Sequence, residues 1–337
     1  MKIKHGGEEK GRVDFDFSVN LNPLGIPPQI KEAAAGADFV NYPDPDCSEL
    51  CAAISENEGI SAENIVCGNG AADLIYRIVG AVKPKTALIA EPTFSEYQKA
   101  LSDFDCKTER YLTNESNNFE LKEDFLDRIT DRIDMVFICN PNNPTGITCE
   151  IIGKIAEKCA KKGALFVADE SFIDFVNNGE NRSVKPFLND KTVILKSFTK
   201  IYAMAGLRLG YAIFGNSTLA NRVREFGQSW SVSSAAQAAG IAALKYKDFL
   251  CEMREIIKQE RAFLTSELTA LGIKVFPSET NFLLLKSDKP LKEMLLKKYI
   301  SIRSCENFCG LDKSFFRIAV RSHSENTALI NALKELL

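Results

Sequence analysis

One segment of the chain, LKSFTKIYAMAGLRLGY, carries a lysine in unusual surroundings. Lys200 lies there among mostly apolar side chains, and Arg208 follows eight residues later. A lysine in a partly desolvated pocket has a lowered pKa, so its neutral amine can form a Schiff base with an aldehyde. The hydroxyls of Ser197 and Thr199 and the planar guanidinium of Arg208 are suited to holding a phosphate. The segment therefore predicts a reactive lysine beside a phosphate cup.

A carboxylate and an amide follow two other apolar segments. Asp169 comes directly after ALFVA (164–168), where it fits either a helix cap or buried ion pair, or a partner that keeps a ring nitrogen protonated. Asn143 lies in NPNNPTG (140–146), which is rich in turn formers, and its amide can donate to an oxygen on a bound ring. Together with the lysine and the phosphate cup, these groups meet the needs of pyridoxal 5′-phosphate.

The segment GNGAAD (68–73) is open to two functional interpretations besides a plain turn. Backbone N–H groups at Gly70, Ala71 and Ala72 can hold a phosphate where a strand passes into a helix. The alternative is a dinucleotide fingerprint, for which Glu91 has suitable spacing. However, Asp73 occupies the third glycine position, and a dinucleotide site leaves Lys200 without a role.

These candidates follow apolar segments that alternate with helical patterns, which is typical of α/β folds with a mainly parallel sheet covered on both faces. The predicted strands of this part are 65–67, 86–90, 135–139, 164–168, 192–195 and 211–214, with a helix over 150–161. Ligands of such sheets bind beyond the carboxyl ends of the strands. Because four polar clusters stand at strand ends, we expect a single site.

The pattern changes after residue 240, where a long helix (about 245–270) precedes short strands and a final helix. We therefore expect an extended N-terminal arm (1–30) packing near the active site, a large cofactor-binding domain (31–240) and a small C-terminal α+β domain (241–337).

Composition excludes several classes of protein. The 337 residues include 42 basic and 45 acidic side chains, a net charge of −3 that argues against a nucleic-acid binder. No apolar run is long enough to span a membrane, and the polar N-terminus is not a signal peptide, so we expect a cytoplasmic protein. Two histidines exclude a three-histidine metal site, and no metal is expected. The ten cysteines are expected to be reduced and mostly buried.

The order of NPNNPTG, DESF, SFTKIYAMAGLRLGY and FRIAV resembles the class I/II aminotransferase family of fold type I pyridoxal phosphate enzymes, over nearly the whole chain. The resemblance implies that Lys200 carries the cofactor, Asp169 pairs with its ring nitrogen and Asn143 contacts its O3′. The implied cofactor contacts also include Phe94, stacked on the ring, and Gly70, Ala71, Ala72, Ser197, Thr199 and Arg208 at the phosphate. Arg317 is implied to bind the substrate α-carboxylate, and Tyr42 in NYPD to reach the neighbouring subunit's cofactor phosphate in a homodimer with shared active sites.

Within this family, two kinds of enzyme compete. The start His5-Gly6-Gly7, the segment DFSVNLNPLGIP, the segment 302–322 and Phe172 are similar to L-threonine-O-3-phosphate decarboxylases, where aminotransferases usually carry a tyrosine in place of Phe172. The resemblance implies decarboxylation of threonine phosphate or phosphoserine to an O-phospho amino alcohol for the cobalamin nucleotide loop. The alternative is a histidinol-phosphate aminotransferase or a related enzyme.

The reaction depends on which Cα bond the protein holds perpendicular to the cofactor ring, and so on where it anchors the substrate. Candidate anchors for the substrate phosphate are His5, Asn20, Arg303 and Arg321. If FRIAV is a strand, Arg317 and Arg321 point to one face and can meet two anionic groups.

Two questions about function stay open. A pocket separates phosphothreonine from phosphoserine by one methyl group, worth only about 1–3 kcal/mol, so the sequence does not distinguish them. A non-catalytic, cofactor-binding regulator is a different class of protein, but it needs a DNA-binding partner domain and no residues remain to build one.

Overall fold

The computed structural model describes residues 5–7, 9 and 11–337. Its strands are β1 (Phe15–Asp16), β2 (Ile65–Gly68), β3 (Thr86–Glu91), β4 (Lys107–Leu112), β5 (Met135–Cys139), β6 (Leu165–Asp169), β7 (Thr192–Ser197), β8 (Gly210–Phe214), β9 (Lys274–Val275), β10 (Phe282–Lys286), β11 (Ile300–Ser301), β12 (Arg303–Ser304) and β13 (Phe315–Ala319). Its α-helices are α1 (Pro28–Ala35), α2 (Ser48–Glu58), α3 (Ala71–Val82), α4 (Ser95–Asp103), α5 (Ile152–Lys162), α6 (Phe198–Ile201), α7 (Ser217–Phe226), α8 (Ser234–Ala243), α9 (Lys247–Ala270), α10 (Leu291–Leu296) and α11 (His323–Leu336).

The central sheet has seven strands in the order β2-β8-β7-β6-β5-β3-β4, and only β8 runs antiparallel to its neighbours. Both faces are buried because alternate residues enter two separate cores. In β5, Val136 and Ile138 belong to one core, whereas Met135 and Phe137 belong to the other. The predicted α/β architecture is confirmed, and all six predicted strands are present within two residues of their expected bounds.

The edge strand β4, of sequence KTERYL, was missed by the prediction. In the described part of the chain it pairs only with β3, in parallel, and none of its residues is fully buried. An edge strand with one solvated side has no need of a continuous apolar run, so its hydrophobicity gave no signal.

A second sheet, β12-β13-β10-β9, is antiparallel and lies in the C-terminal part of the chain with α9 and α11. The N-terminal arm joins this part to the central sheet. Its strand β1 pairs with β11, and the Phe17 carbonyl accepts a hydrogen bond from Ala319 N–H at 2.9 Å. Further along the arm, Asn22 N–H donates to the Lys200 carbonyl at 3.1 Å and its side chain to Ile201 at 2.7 Å. The arm therefore fastens the short helix that carries Lys200.

All ten cysteines are free thiols, and eight of them are buried, as predicted. Within the described ranges, no helix combines the length and apolarity that crossing a bilayer requires.

Candidate active site

A cavity of about 480 Å³ opens at the carboxyl ends of β5, β6 and β7. All four predicted strand-end clusters contribute to its wall. The contributing residues are Ala71 and Ala72, Asn143, Asp169, and Ser197, Thr199 and Lys200. The structure thus brings together side chains that are more than a hundred residues apart in the chain.

A second cavity, of about 540 Å³, lies on the other side of β7. Its two lysines are paired with the same carboxylate, because Glu58 accepts from Lys185 at 2.8 Å and lies 3.4 Å from Lys196. The compensated charges favour a structural role for this cavity, and the Lys200 cavity remains the candidate active site.

Lys200 projects from α6, whose first turn is capped by Ser197 accepting from Thr199 N–H. Burial, together with the positive charges of Arg317 and Arg208, lowers the pKa of its amine to about 8. In the described part of the chain, no carboxylate forms an ion pair with it. The amine therefore has the reduced basicity that a nucleophilic lysine requires.

The N-terminus of α3 forms one wall of a phosphate-sized cup. Gly70 caps this helix with a φ of +83°, and a Cβ added there would lie 2.7 Å from the Arg208 guanidinium. The cup therefore needs glycine both for its backbone conformation and for its space. Opposite, the hydroxyls of Ser197 and Thr199 lie 2.7 Å apart. Helix N–H groups, two hydroxyls and one guanidinium match the donors that a phosphate ester accepts.

Between Lys200 and the ends of β5 and β6, the cavity wall carries a carboxyl group and a side-chain amide. Asp169 is buried at the end of β6, and burial raises the pKa of its carboxyl, partly offset by hydrogen bonds from Ser171 and Tyr97. Asn143 Oδ1 accepts from Arg317 Nη1 at 2.5 Å, an orientation assigned from this hydrogen bond. Its amide nitrogen is then left to donate into the cavity.

Two phenylalanines complete the walls. Phe94 packs edge-on against Tyr97, with ring centroids 5.6 Å apart, and offers an aromatic surface next to the acidic end. Phe172 packs edge-on against Phe282 at 5.1 Å. It brings no hydroxyl to the cavity, so position 172 does not supply the tyrosine hydroxyl that would lie next to Asn143 in the usual aminotransferase site.

Two arginines line the opposite side. Arg303 and Arg317 are register partners across β12 and β13. Arg317 is buried and donates to the Ser18 carbonyl at 2.9 Å, while its Nε has no protein partner in the described part of the chain. Asn20 is buried beside them with an unpartnered Oδ1. Unpartnered buried groups are costly unless a ligand satisfies them. Arg317 Nε calls for an acceptor and Asn20 Oδ1 for a donor, so this side suits a polar ligand with an anionic group next to the arginines.

His5 also lies at the cavity, but with a partner that we did not predict. Its Nε2 lies 3.0 Å from a carboxylate oxygen of Glu96, in the first turn of α4. Glu96, Tyr97 and Ser171 are the site residues that sequence reasoning missed. Glu96 and Tyr97 follow the predicted ring contact Phe94 by two and three residues, yet their partners are 91 and 72 residues away.

The structure places Arg321 away from Arg317 and from the cavity. Strand β13 ends at Ala319, so the alternation that would place Arg321 on the face of Arg317 does not reach it. Its guanidinium instead binds Glu325 at 2.6 Å, in the first turn of α11, and the residue does not line the cavity.

Tyr42 does not line the cavity of its own chain. Its ring is 80% exposed and stacks on Trp230 at 4.6 Å. Phe39 and Val40, which precede it, are also largely exposed. An apolar surface of this kind is typical of a contact with another molecule.

The cavity fits pyridoxal phosphate on its own chemistry. Among the described residues, it contains a lysine of reduced basicity with no carboxylate in an ion pair to it, a glycine-dependent phosphate cup and a buried carboxylate. An aldehyde that carries a phosphate and a basic ring nitrogen complements each of these groups.

The fold and the site together define a class of enzyme. The chain belongs to the family described as aminotransferase class I and II, which matches residues 13–333. The predicted fold type I architecture and the pyridoxal phosphate cofactor are therefore confirmed.

Three individual proteins are similar to nearly the whole of this chain. The threonine-phosphate decarboxylase of Salmonella typhimurium is 35% identical, over 96% of this chain and 91% of its own. An adenosylcobalamin biosynthesis bifunctional protein of Leptospira interrogans is also 35% identical, over 96% of this chain but 38% of its own. Among solved structures, the histidinol-phosphate aminotransferase of Clostridium acetobutylicum superposes with a TM-score of 0.87 at 30% identity, covering 95% of this chain and 98% of that one.

Proposed function

We propose that this enzyme decarboxylates L-threonine O-3-phosphate, or O-phosphoserine, to an O-phospho amino alcohol that enters the cobalamin nucleotide loop. The observation that carries the proposal is the side-by-side placement of Arg303 and Arg317 at the cavity. Such a substrate has two anionic groups three bonds or more apart, and two adjacent guanidinium groups can each bind one of them.

In this proposal, separate residues bind the substrate carboxylate, the substrate phosphate and the cofactor phosphate. Arg317 holds the substrate carboxylate, because it is buried beside Asn143 and has an unpartnered Nε. Arg303, with His5 and Asn20 nearby, holds the substrate phosphate. The phosphate cup of α3, Ser197, Thr199 and Arg208 holds the phosphate of the cofactor. Pyridoxal phosphate, when bound, supplies an electron sink conjugated to the substrate Cα.

The reaction replaces one Cα bond by another. The carboxylate leaves as CO₂, its bonding electron pair stays at Cα, and Cα then takes up a proton. Lys200 Nζ is the proton donor that we propose, because its pKa of about 8 allows both protonated and neutral forms near neutral pH. The positions of the two anchors decide which Cα bond is held perpendicular to the ring: decarboxylation requires the bond to the carboxylate, whereas an aminotransferase must select the bond to hydrogen.

The proposal is tested by giving the enzyme alternative substrates and measuring the products. Purified enzyme with the cofactor is given O-phosphothreonine, O-phosphoserine, or histidinol phosphate with 2-oxoglutarate, and CO₂ and glutamate are measured. We expect CO₂ from at least one phospho amino acid and little glutamate. Efficient glutamate formation from histidinol phosphate without CO₂ from either phospho amino acid identifies an aminotransferase instead.

Arg303 and Arg321, which were both candidate anchors for the substrate phosphate, provide a matched pair of variants. Arg303→Ala is expected to raise KM for the phospho amino acid about 10- to 100-fold, the loss of a hydrogen bond between charged groups. Arg321→Ala should leave KM within about twofold, because its guanidinium binds Glu325. Cofactor absorbance and melting temperature serve as controls. A larger effect from Arg321 than from Arg303 contradicts this assignment.

We further propose a homodimer in which Tyr42 reaches the cofactor phosphate of the second subunit. The exposed apolar surface around Tyr42 and Trp230 supports a contact with a second copy. We also propose that the chain divides into an arm (1–30), a large domain (31–240) and a small domain (241–337).

Tyr42→Phe is expected to weaken pyridoxal phosphate binding by about 1.5–3 kcal/mol, the value of a hydrogen bond to a charged group. Tyr299→Phe changes an exposed tyrosine outside the cavity and should have no effect. Cofactor affinity is measured by titrating apoprotein, and the molar mass by light scattering. A monomer that stays fully active at high dilution would rule the shared site out.

A further inference from the structure

The Asp169 carboxylate is held through both of its oxygens. Tyr97 donates its hydroxyl to Oδ2 at 2.6 Å. Ser171 donates its backbone N–H and its hydroxyl to Oδ1 at 3.0 and 2.5 Å. These are charge-assisted hydrogen bonds, which are shorter and stronger than neutral ones. The carboxylate plane is therefore fixed by the protein.

Tyr97 has little freedom to do anything else. Its side chain is fully buried, and its ring stacks on Phe137 with centroids 5.0 Å apart and an interplanar angle of 10°. The same ring braces Phe94, which lines the cavity. Because the ring is fully buried, stacked on Phe137 and packed edge-on with Phe94, its hydroxyl is held at Oδ2 of Asp169.

The Asp169 carboxylate has a limited number of positions at which it can accept hydrogen bonds, so the Tyr97 contact affects which of them remain available. An ionised carboxylate has about four lone-pair positions for hydrogen bonds. The protein uses three of them, two on Oδ1 and one on Oδ2. The remaining position on Oδ2 is the one available to a donor in the cavity, and Tyr97 decides its direction.

We propose that Tyr97 is a positioning residue that acts through Asp169 on the ring nitrogen of the cofactor. By occupying one side of Oδ2, it aims the other side at the ring N–H. The inference rests on the proposed cofactor site and extends it to a residue that does not line the cavity. Its rival is a merely structural role, in which the hydroxyl only satisfies a buried carboxylate.

A binding cycle separates these roles without measuring turnover. Apoprotein is titrated with pyridoxal 5′-phosphate and with 1-deazapyridoxal 5′-phosphate, in which a C–H group replaces the ring nitrogen. The variants are wild type, Tyr97→Phe and, as matched control, Tyr76→Phe, which breaks a hydrogen bond from tyrosine to Asp103 on the exposed surface. Melting temperatures of the three apoproteins monitor folding.

We expect Tyr97→Phe to raise the Kd of pyridoxal phosphate about tenfold and that of the deaza compound less than about twofold. Tyr76→Phe should change neither. An equal rise for both ligands, or no rise for either, overturns the inference and leaves the structural role. Failure of wild-type apoprotein to bind pyridoxal phosphate at all would instead overturn the proposed function.

If Tyr97→Phe does not fold, Phe137→Leu provides the same test. This change removes the stacking partner but retains the hydroxyl, so it loosens Tyr97 without deleting it. We expect a smaller loss of affinity that is again confined to the ligand with a ring nitrogen. Equal losses for the two ligands count against the inference here as well.

Discussion

Replacing Lys200 by alanine is expected to lower turnover at least about 10³-fold, because one amine both attaches the cofactor and moves the proton. Borohydride should fix pyridoxal phosphate to the peptide that contains Lys200 in the wild type and to no peptide in the variant. Lys200→Arg is the matched control, since it retains the positive charge between Arg208 and Arg317 but cannot form the covalent link. We expect it to be as inactive as the alanine variant.

The pH dependence of cofactor capture tests the same residue. Its pKa of about 8 lies below the ordinary value of 10.5, so the neutral, nucleophilic amine becomes abundant at lower pH than in an exposed lysine. The rate at which apoprotein captures pyridoxal phosphate should rise from about pH 6.5 and level off above about pH 9. A rate that continues to rise towards pH 10, or borohydride labelling of another lysine, contradicts the assignment.

Asp169→Asn is expected to keep the cofactor but lower turnover about 10²-fold or more, the scale of losing a preorganised charge at the reacting centre. The phosphate cup and Lys200 are unchanged, so the protein should still bind pyridoxal phosphate. A neutral amide does not hold the ring nitrogen protonated, and the ring is then a poorer electron sink.

Asp174→Asn is the matched control for this change. Asp174 lies five residues along the chain, at the second cavity, where it is 4.0 Å from Lys196. We expect its removal to leave kcat within about threefold, because Asp174 does not line the Lys200 cavity and Lys196 keeps Glu58 at 3.4 Å. Turnover of Asp169→Asn close to that of Asp174→Asn would sink the ring-nitrogen assignment.

Local signals in the sequence were sufficient for most of the central sheet and of the cofactor site. Buried parallel strands are apolar on every residue, and their carboxyl ends meet at one edge, so a polar cluster after each strand had to share that edge. For Lys200, Asp169 and Asn143, the position in the fold therefore followed from the residues just before them. The missing edge strand β4 shows the limit of this signal, because a solvated strand need not be apolar.

Tertiary structure separates two of the candidate substrate anchors. Arg303 lies opposite Arg317 in the register of β12 and β13, whereas Arg321 follows the end of β13 at Ala319. Where a strand ends depends on its pairing with distant strands, so the sequence around Arg321 did not show this.

The reactive lysine, the two separate phosphate-binding segments and the order of the motifs were predictable from the sequence alone, because each depends on neighbours a few residues away. Only the folded chain decided which hydroxyl meets the Asp169 carboxylate and which carboxylate meets His5. Those pairs join residues 72 and 91 positions apart. Nothing in the local pattern of either partner encodes the other, since their distance is set by how α4 packs on the central sheet and by the path of the N-terminal arm.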